Sequence, residues 1–196
     1  GGAICVRAND NLIENCSFIN NTATKFYGGA ISTFYGNLSE MTYENKTITI
    51  KDCYFEGNSA PLGGAIQANG DEVHIYNCTF KNNTAVKGGA VFLFGDTIDL
   101  HNSTFISNEA TDDLSDLYLG LDWKLFDWNV EGGAVYILGS NTQLQNNSFR
   151  YNTASGIKED GLGGAIYVKG NNSTIINSHF DDNFAFGGNG SAIYLY

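Results

Sequence analysis

Carboxylates are the most concentrated reactive groups in the chain. Asp112, Asp113, Asp116, Asp122 and Asp127 fall within sixteen residues. Clustered carboxylates are oxygen ligands of the kind calcium takes, but this spacing does not match an EF-hand loop. A second group, Asp181-Asp182 beside His179, supplies the paired carboxylates that glycoside hydrolysis requires. The same turn positions hold Lys81-Asn82 and Ile106-Ser107 in other repeats, which favours a solvated turn. No arginine–lysine pair adjoins it to bind a uronate, and His74, His101 and His179 fall at three different register positions. The segment is read as non-catalytic, with no cofactor and no metal. Asp112, Asp113 and Asp116 are the candidate ligands if calcium binds.

Cysteine and aromatic chemistry come next. Cys16, Cys53 and Cys78 share one register position, replaced by Ser103, Asn147 and Ser178 in later repeats, and Cys5 stands apart. Three thiols in a column cannot all pair, and no Cys-x-x-Cys spacing suggests zinc. Small buried thiols are the expectation. Phe92, Tyr136, Tyr167 and Tyr194 recur on the outward side of successive repeats. Outward aromatics in a row mark an interaction face, or else cross-strand stacking that stabilises the sheet. With Trp123 and Trp128, they are the candidate binding residues for a protein or glycan partner.

These residues hang on a repeat. Gly-Gly-Ala-(Ile/Val) opens at Gly1, Gly28, Gly63, Gly88, Gly132 and Gly163, with a degenerate Gly190-Ser191-Ala192-Ile193. Phe-x-x-Asn follows at Phe18, Phe55, Phe80, Phe105, Phe149 and Phe180, seventeen residues on in every unit but the second. A fixed internal period means a solenoid. Alternating hydrophobicity signals strands, and a minimum period of 25 residues, Gly63 to Gly88, suits three short strands per turn of a parallel β-helix. The residue after each alanine and the one two further on should point inward, as should Ile13, Ile50, Ile75, Leu100, Leu144 and Ile175. Stacked coils would pile the phenylalanines, from Phe18 to Phe180, into one internal column. They would pile Asn21 to Asn183 into a ladder, and Asn15, Asp52, Asn77, Asn102, Asn146 and Asn177 into another, both satisfying backbone groups at corners. The doubled glycines mark a tight corner.

The expected fold class is therefore all-β, a right-handed parallel β-helix of about six to seven coils. It forms one domain over 1–196 with loop insertions at 35–46, 109–131 and 155–162. The chain begins and stops on repeats and is read as a segment of a longer solenoid. Sequons at Asn77 and Asn102 lie in the ladders and are expected to be closed to a glycan, leaving Asn37 and Asn45 in a loop. Net charge is −11, with arginine only at Arg7 and Arg150, which excludes the basic footprint of a nucleic-acid binder. No run of eighteen apolar residues exists to span a bilayer as a helix.

The coupling of Gly-Gly-Ala-(Ile/Val) to Phe-x-x-Asn resembles the repeats of chlamydial polymorphic outer membrane proteins. It is also similar to the asparagine-rich, acidic repeats of methanogen adhesin-like surface proteins. The resemblance covers the chain except the three insertions. It implies an exported, right-handed β-helix used in adhesion at the cell surface. The function expected is a rigid stalk presenting loops and an aromatic face to a host cell, a neighbouring cell or a glycan. Two alternatives stand beside it: a structural spacer or filament subunit that self-associates through open coil ends, and a carbohydrate-active enzyme.

Overall fold

The computed structural model describes residues 1–25, 27–33, 46–113, 129–157 and 160–196. Every paired strand is parallel to its neighbour, and each neighbour comes from the next repeat. The chain therefore winds as a parallel β-helix. A glycine sheet of seven strands follows the Gly-Gly corners, from Ile4–Cys5 to Ile193–Leu195. An isoleucine sheet of six strands includes Thr47–Lys51, Glu72–Tyr76 and Thr97–His101. A phenylalanine sheet of six includes Thr79–Lys81, Thr104–Ile106 and Ser148–Arg150.

A fourth sheet was not legible in the sequence. It joins Thr84–Ala85, Glu109–Thr111, Thr153–Ser155 and Phe184–Ala185, so the expected three strands per coil become four. Two- and three-residue strands are too short to show alternation. Each of these buries one alanine, Ala85, Ala110, Ala154 or Ala185, and Ala110 and Ala154 pack with Val130 apart from the central core. The insertions are also shorter than expected. Glu109–Thr111 and Val130–Glu131 are strands, and Ser155 and Gly161–Leu162 belong to strands as well.

Inward residues fill one core. Ile66, Ala68, Val91, Leu93, Val135, Ile137, Ile166 and Val168 belong to it, with Ile50, Ile75, Leu100 and Leu144 opposite. Leu195, expected inward, is 59% exposed in the last strand. The phenylalanine rings stack without interruption, with centroids 4.9, 4.8, 4.7, 4.7 and 5.0 Å apart from Phe18 to Phe180. That spacing is the rise between parallel strands, because stacked residues inherit the strand separation of ~4.8 Å.

The ladder beside them closes backbone groups. Asn83 Oδ1 accepts from Asn58 N at 2.9 Å and from Asn58 Nδ2 at 3.0 Å. Asn83 Nδ2 donates to Phe55 O at 3.1 Å and to Asn108 Oδ1 at 2.9 Å. The pattern repeats from Asn21 to Asn183. The second column behaves differently. Asn15, Asp52, Asn77, Asn102, Asn146 and Asn177 all sit at φ between 48° and 55°. Asparagine and aspartate are the non-glycine residues that tolerate this left-handed region. Their side chains bond to each other along the column, as from Asn77 Nδ2 to Asp52 Oδ1 at 2.6 Å and from Asn146 Nδ2 to Asn102 Oδ1 at 3.2 Å. Asn77 and Asn102 are exposed, so the corner does not bury those sequons. Asn37 and Asn45 lie outside the described residues.

The doubled glycines have separate reasons. Gly63 has φ +62°. A Cβ on Gly64 would lie 2.1 Å from Gly89 O in the next coil. Among the described residues, no helix is long and apolar enough to cross a membrane.

Candidate functional site

The outward aromatics form a second stack on the glycine sheet. Phe92–Tyr136, Tyr136–Tyr167 and Tyr167–Tyr194 centroids lie 4.9, 5.1 and 5.3 Å apart. They are not a wet face. Phe92, Tyr136 and Tyr167 are 6%, 7% and 4% exposed, and Tyr194 is half-buried. Leu62, Leu162 and Tyr27 pack on them from the chain just before each Gly-Gly corner, with Phe94 and Leu138 alongside. The sharp corner brings those residues against the sheet's outer side, a proximity that strand alternation does not reveal. The candidate contact stripe is thus an outer packing column.

One ion pair is embedded there. Lys87 Nζ bonds Glu131 Oε2, with both side chains under a tenth exposed. Lys87 also sits 5.3 Å from the Tyr136 ring centroid. Burial pushes the Tyr167 phenol well above its ordinary value, and the Glu131 carboxylate adds to this. Burial does the same to Tyr27. Trp123 and Trp128 lie outside the described residues, as does Asp116.

The aspartate candidates separate. Asp112 Oδ1 accepts from Ile157 N at 2.5 Å, which ties the start of one insertion to the other. The Asp113 amide donates to Thr111 Oγ1 at 3.2 Å. Among the described residues no group of three His, Cys, Asp or Glu side chains is placed to hold a metal ion. Asp181 pairs with Arg150 Nε at 3.2 Å, and Asp182 sits at φ 49° in a corner.

Cys53 and Cys78 are buried free thiols, Cys16 is half-buried and Cys5 is exposed. The Cys53 thiol donates to Lys51 O at 3.1 Å. The neighbouring Cys78 thiol draws it below the ordinary thiol range, and Cys53 together with burial pushes Cys78 well up. Farther along the same column Asn147 accepts from Ser103 N at 2.9 Å and donates to Leu100 O at 2.7 Å. The later coils therefore use this position as a second backbone-satisfying ladder.

A cluster the sequence reading missed lies on the outer face of the isoleucine sheet. His74 Nδ1 is 3.0 Å from Asp99 Oδ2 and 3.0 Å from the Tyr76 hydroxyl, while His74 Nε2 is 3.5 Å from Glu72 Oε2. The Tyr76 phenol is raised, first by burial and then by Asp99. His101 lies edge-on to Tyr76 at 5.5 Å. His74 and His101 do occupy different columns, and each has its partner directly across the coil step: Asp99 opposite His74, and Tyr76 opposite His101. The available signal was that Glu72, His74 and Tyr76 alternate with the inward Val73 and Ile75. An imidazole between carboxylates can move a proton, so the cluster has the components of acid–base chemistry.

The family comparison agrees with the coil geometry. A family model described as right-handed β-helix region matches residues 1–158, and the chain belongs to that family. The right-handed parallel β-helix is thus the class that fold and sequence define together. No curated protein and no solved structure matches the chain.

Proposed function

We propose that this β-helix is a non-catalytic display rod, an adhesin segment that holds its insertions out from a cell surface toward a protein or glycan partner. The observation that carries this reading is where the two later insertions leave the coil. Both depart between the alanine-sheet strand and the Gly-Gly corner of successive coils, and their ends are paired as Val130↔Gly161 and Glu131↔Leu162. Their footing is rigid: Glu131 is tied to Lys87, and the stacked rings lie beneath. Solenoids tend to gather insertions on the binding face. Trp123 and Trp128 of the longer insertion are then the residues assigned to ligand contact.

The carbohydrate-active enzyme is a second reading, favoured by the His74–Asp99–Glu72 cluster. The immobilised chain should retain cells or a glycan and release them chemically unchanged. New reducing ends that vanish in Asp99→Asn would replace the proposal with the enzyme. Retention of nothing by the chain, with head-to-tail association instead, would replace it with the spacer.

A further inference from the structure

One corner of the rod carries a residue that the backbone disfavours. Two positions after each phenylalanine the chain turns through a left-handed residue: Asn20, Gly57, Asn82, Ser107, Tyr151 and Asp182, with φ between 49° and 64°. Five of these are the small, polar or glycine residues that tolerate such a turn. Tyr151, at φ 57°, is not. A bulky side chain held in this region is an outlier, and outliers persist where something other than local stability selects them.

The ring is not consumed by packing. Tyr151 is 50% exposed, unlike the stacked tyrosines of the glycine sheet. Its surroundings are polar and oriented. The Arg150 guanidinium lies 5.7 Å from the ring centroid, and Arg150 Nε is held by Asp181 Oδ2 at 3.2 Å. Asp182 occupies the same corner in the next coil, where Tyr151 N donates to Asp181 O at 3.0 Å. An exposed aromatic ring therefore stands beside a cation paired with one carboxylate, and Asp182 takes the equivalent corner of the next coil.

We propose that Tyr151, Arg150, Asp181 and Asp182 form a subsite for a neutral sugar residue of a glycan chain. The apolar face of a pyranose stacks on the exposed part of the tyrosine ring. Its hydroxyls accept from the remaining guanidinium N–H groups and donate to the carboxylates. The two aspartates disfavour an anionic sugar by like-charge repulsion. A protein partner would gain from the ring but has less use for so compact a donor–acceptor set. The site rests on the adhesin reading for its setting and differs from it in its residues, which belong to the corner after the phenylalanine sheet and not to the insertions.

The test compares the 196-residue chain with Tyr151→Asn and Arg150→Gln on an array of neutral glucose, galactose, mannose and N-acetylglucosamine oligosaccharides, alongside whole-cell binding. Tyr151→Asn installs the residue this corner prefers, so it should melt no lower than the parent while losing at least tenfold in array retention. Arg150→Gln should lose several-fold. A lower melting temperature in Tyr151→Asn would show that the ring is structural and overturn the proposal. Unchanged array retention, or cell binding with no oligosaccharide retained, would also overturn it while leaving the adhesin reading standing. Loss of both cell and array binding by the parent chain would remove that reading too.

Discussion

Replacing Asn83 by alanine tests the ladder where it is most enclosed. Asn83 is fully buried and makes four side-chain bonds across three coils. Truncation removes the acceptor of the buried Asn58 N–H and a donor to the Phe55 carbonyl. The Asn58 amide keeps its bond to Phe18 O at 2.9 Å, so it is not orphaned. One stranded N–H and one weakened carbonyl cost ~2–4 kcal/mol, at about 1–3 kcal/mol per unsatisfied buried group. For a chain of this length that lowers Tm by roughly 5–15 °C. Asn21 is the control: it is half-buried, and its side chain donates through Nδ2 to Asn58 Oδ1 at 2.9 Å without accepting from a buried backbone N–H. Asn21→Ala should cost about 1 kcal/mol or less, because its groups remain open to water. Urea melts followed by circular dichroism should show the Asn83→Ala midpoint falling with little change in slope. Equal midpoints for the two variants, or no shift in Asn83→Ala, would refute the claim that the ladder satisfies buried backbone.

Three further outcomes follow from the same geometry. Gly64→Ala should unfold the middle coils, at more than ~3 kcal/mol, because its Cβ would meet backbone at 2.1 Å; Gly57→Ala, facing the movable Asn20 Oδ1 at 2.3 Å, should cost about 1 kcal/mol. Lys87→Met should destabilise by roughly 3–5 kcal/mol by stranding the buried Glu131 carboxylate, and adding Glu131→Leu should recover most of the loss. Stability should decline as pH rises past about 10, because the unfolded chain ionises tyrosines there. Folded Tyr27 and Tyr167 stay protonated, so the folded chain then holds more protons than the unfolded one. Chemical melts at pH 8 and 11 check the sign.

Much of the fold was legible because the repeat writes its packing as columns. Glycine pairs, phenylalanines and asparagines at fixed offsets give the register from Val91↔Val135 to Phe105↔Phe149. The alanine sheet was hidden because two residues cannot show a period. The aromatic stripe was found, but its covering was not. Whether Tyr136 is wet depends on where the Gly-Gly corner throws Leu62 and Leu162, a three-dimensional fact absent from alternation. The His74–Asp99 pair was missed although its members share one register position on adjacent coils, because that column changes residue type at every step, Thr49, His74, Asp99 and Gln143, and so carries no repeated motif. Tyr151 drew no notice in the sequence, because its oddity lies in the positive φ that its corner imposes.

The stacked rod itself is tested by pulsed dipolar spectroscopy between spin labels placed down one outward column. Ile19, Glu56, Lys81, Ile106, Arg150 and Asp181 occupy that column on the phenylalanine sheet. Labels at Ile19 and Arg150 span four coil steps and labels at Ile19 and Asp181 span five, giving about 19 and about 24 Å at ~4.8 Å per step. Narrow distributions that lengthen by one step are the result a rigid parallel coil gives. Broad distributions, or a second distance no longer than the first, would mean that the chain does not climb by constant rungs.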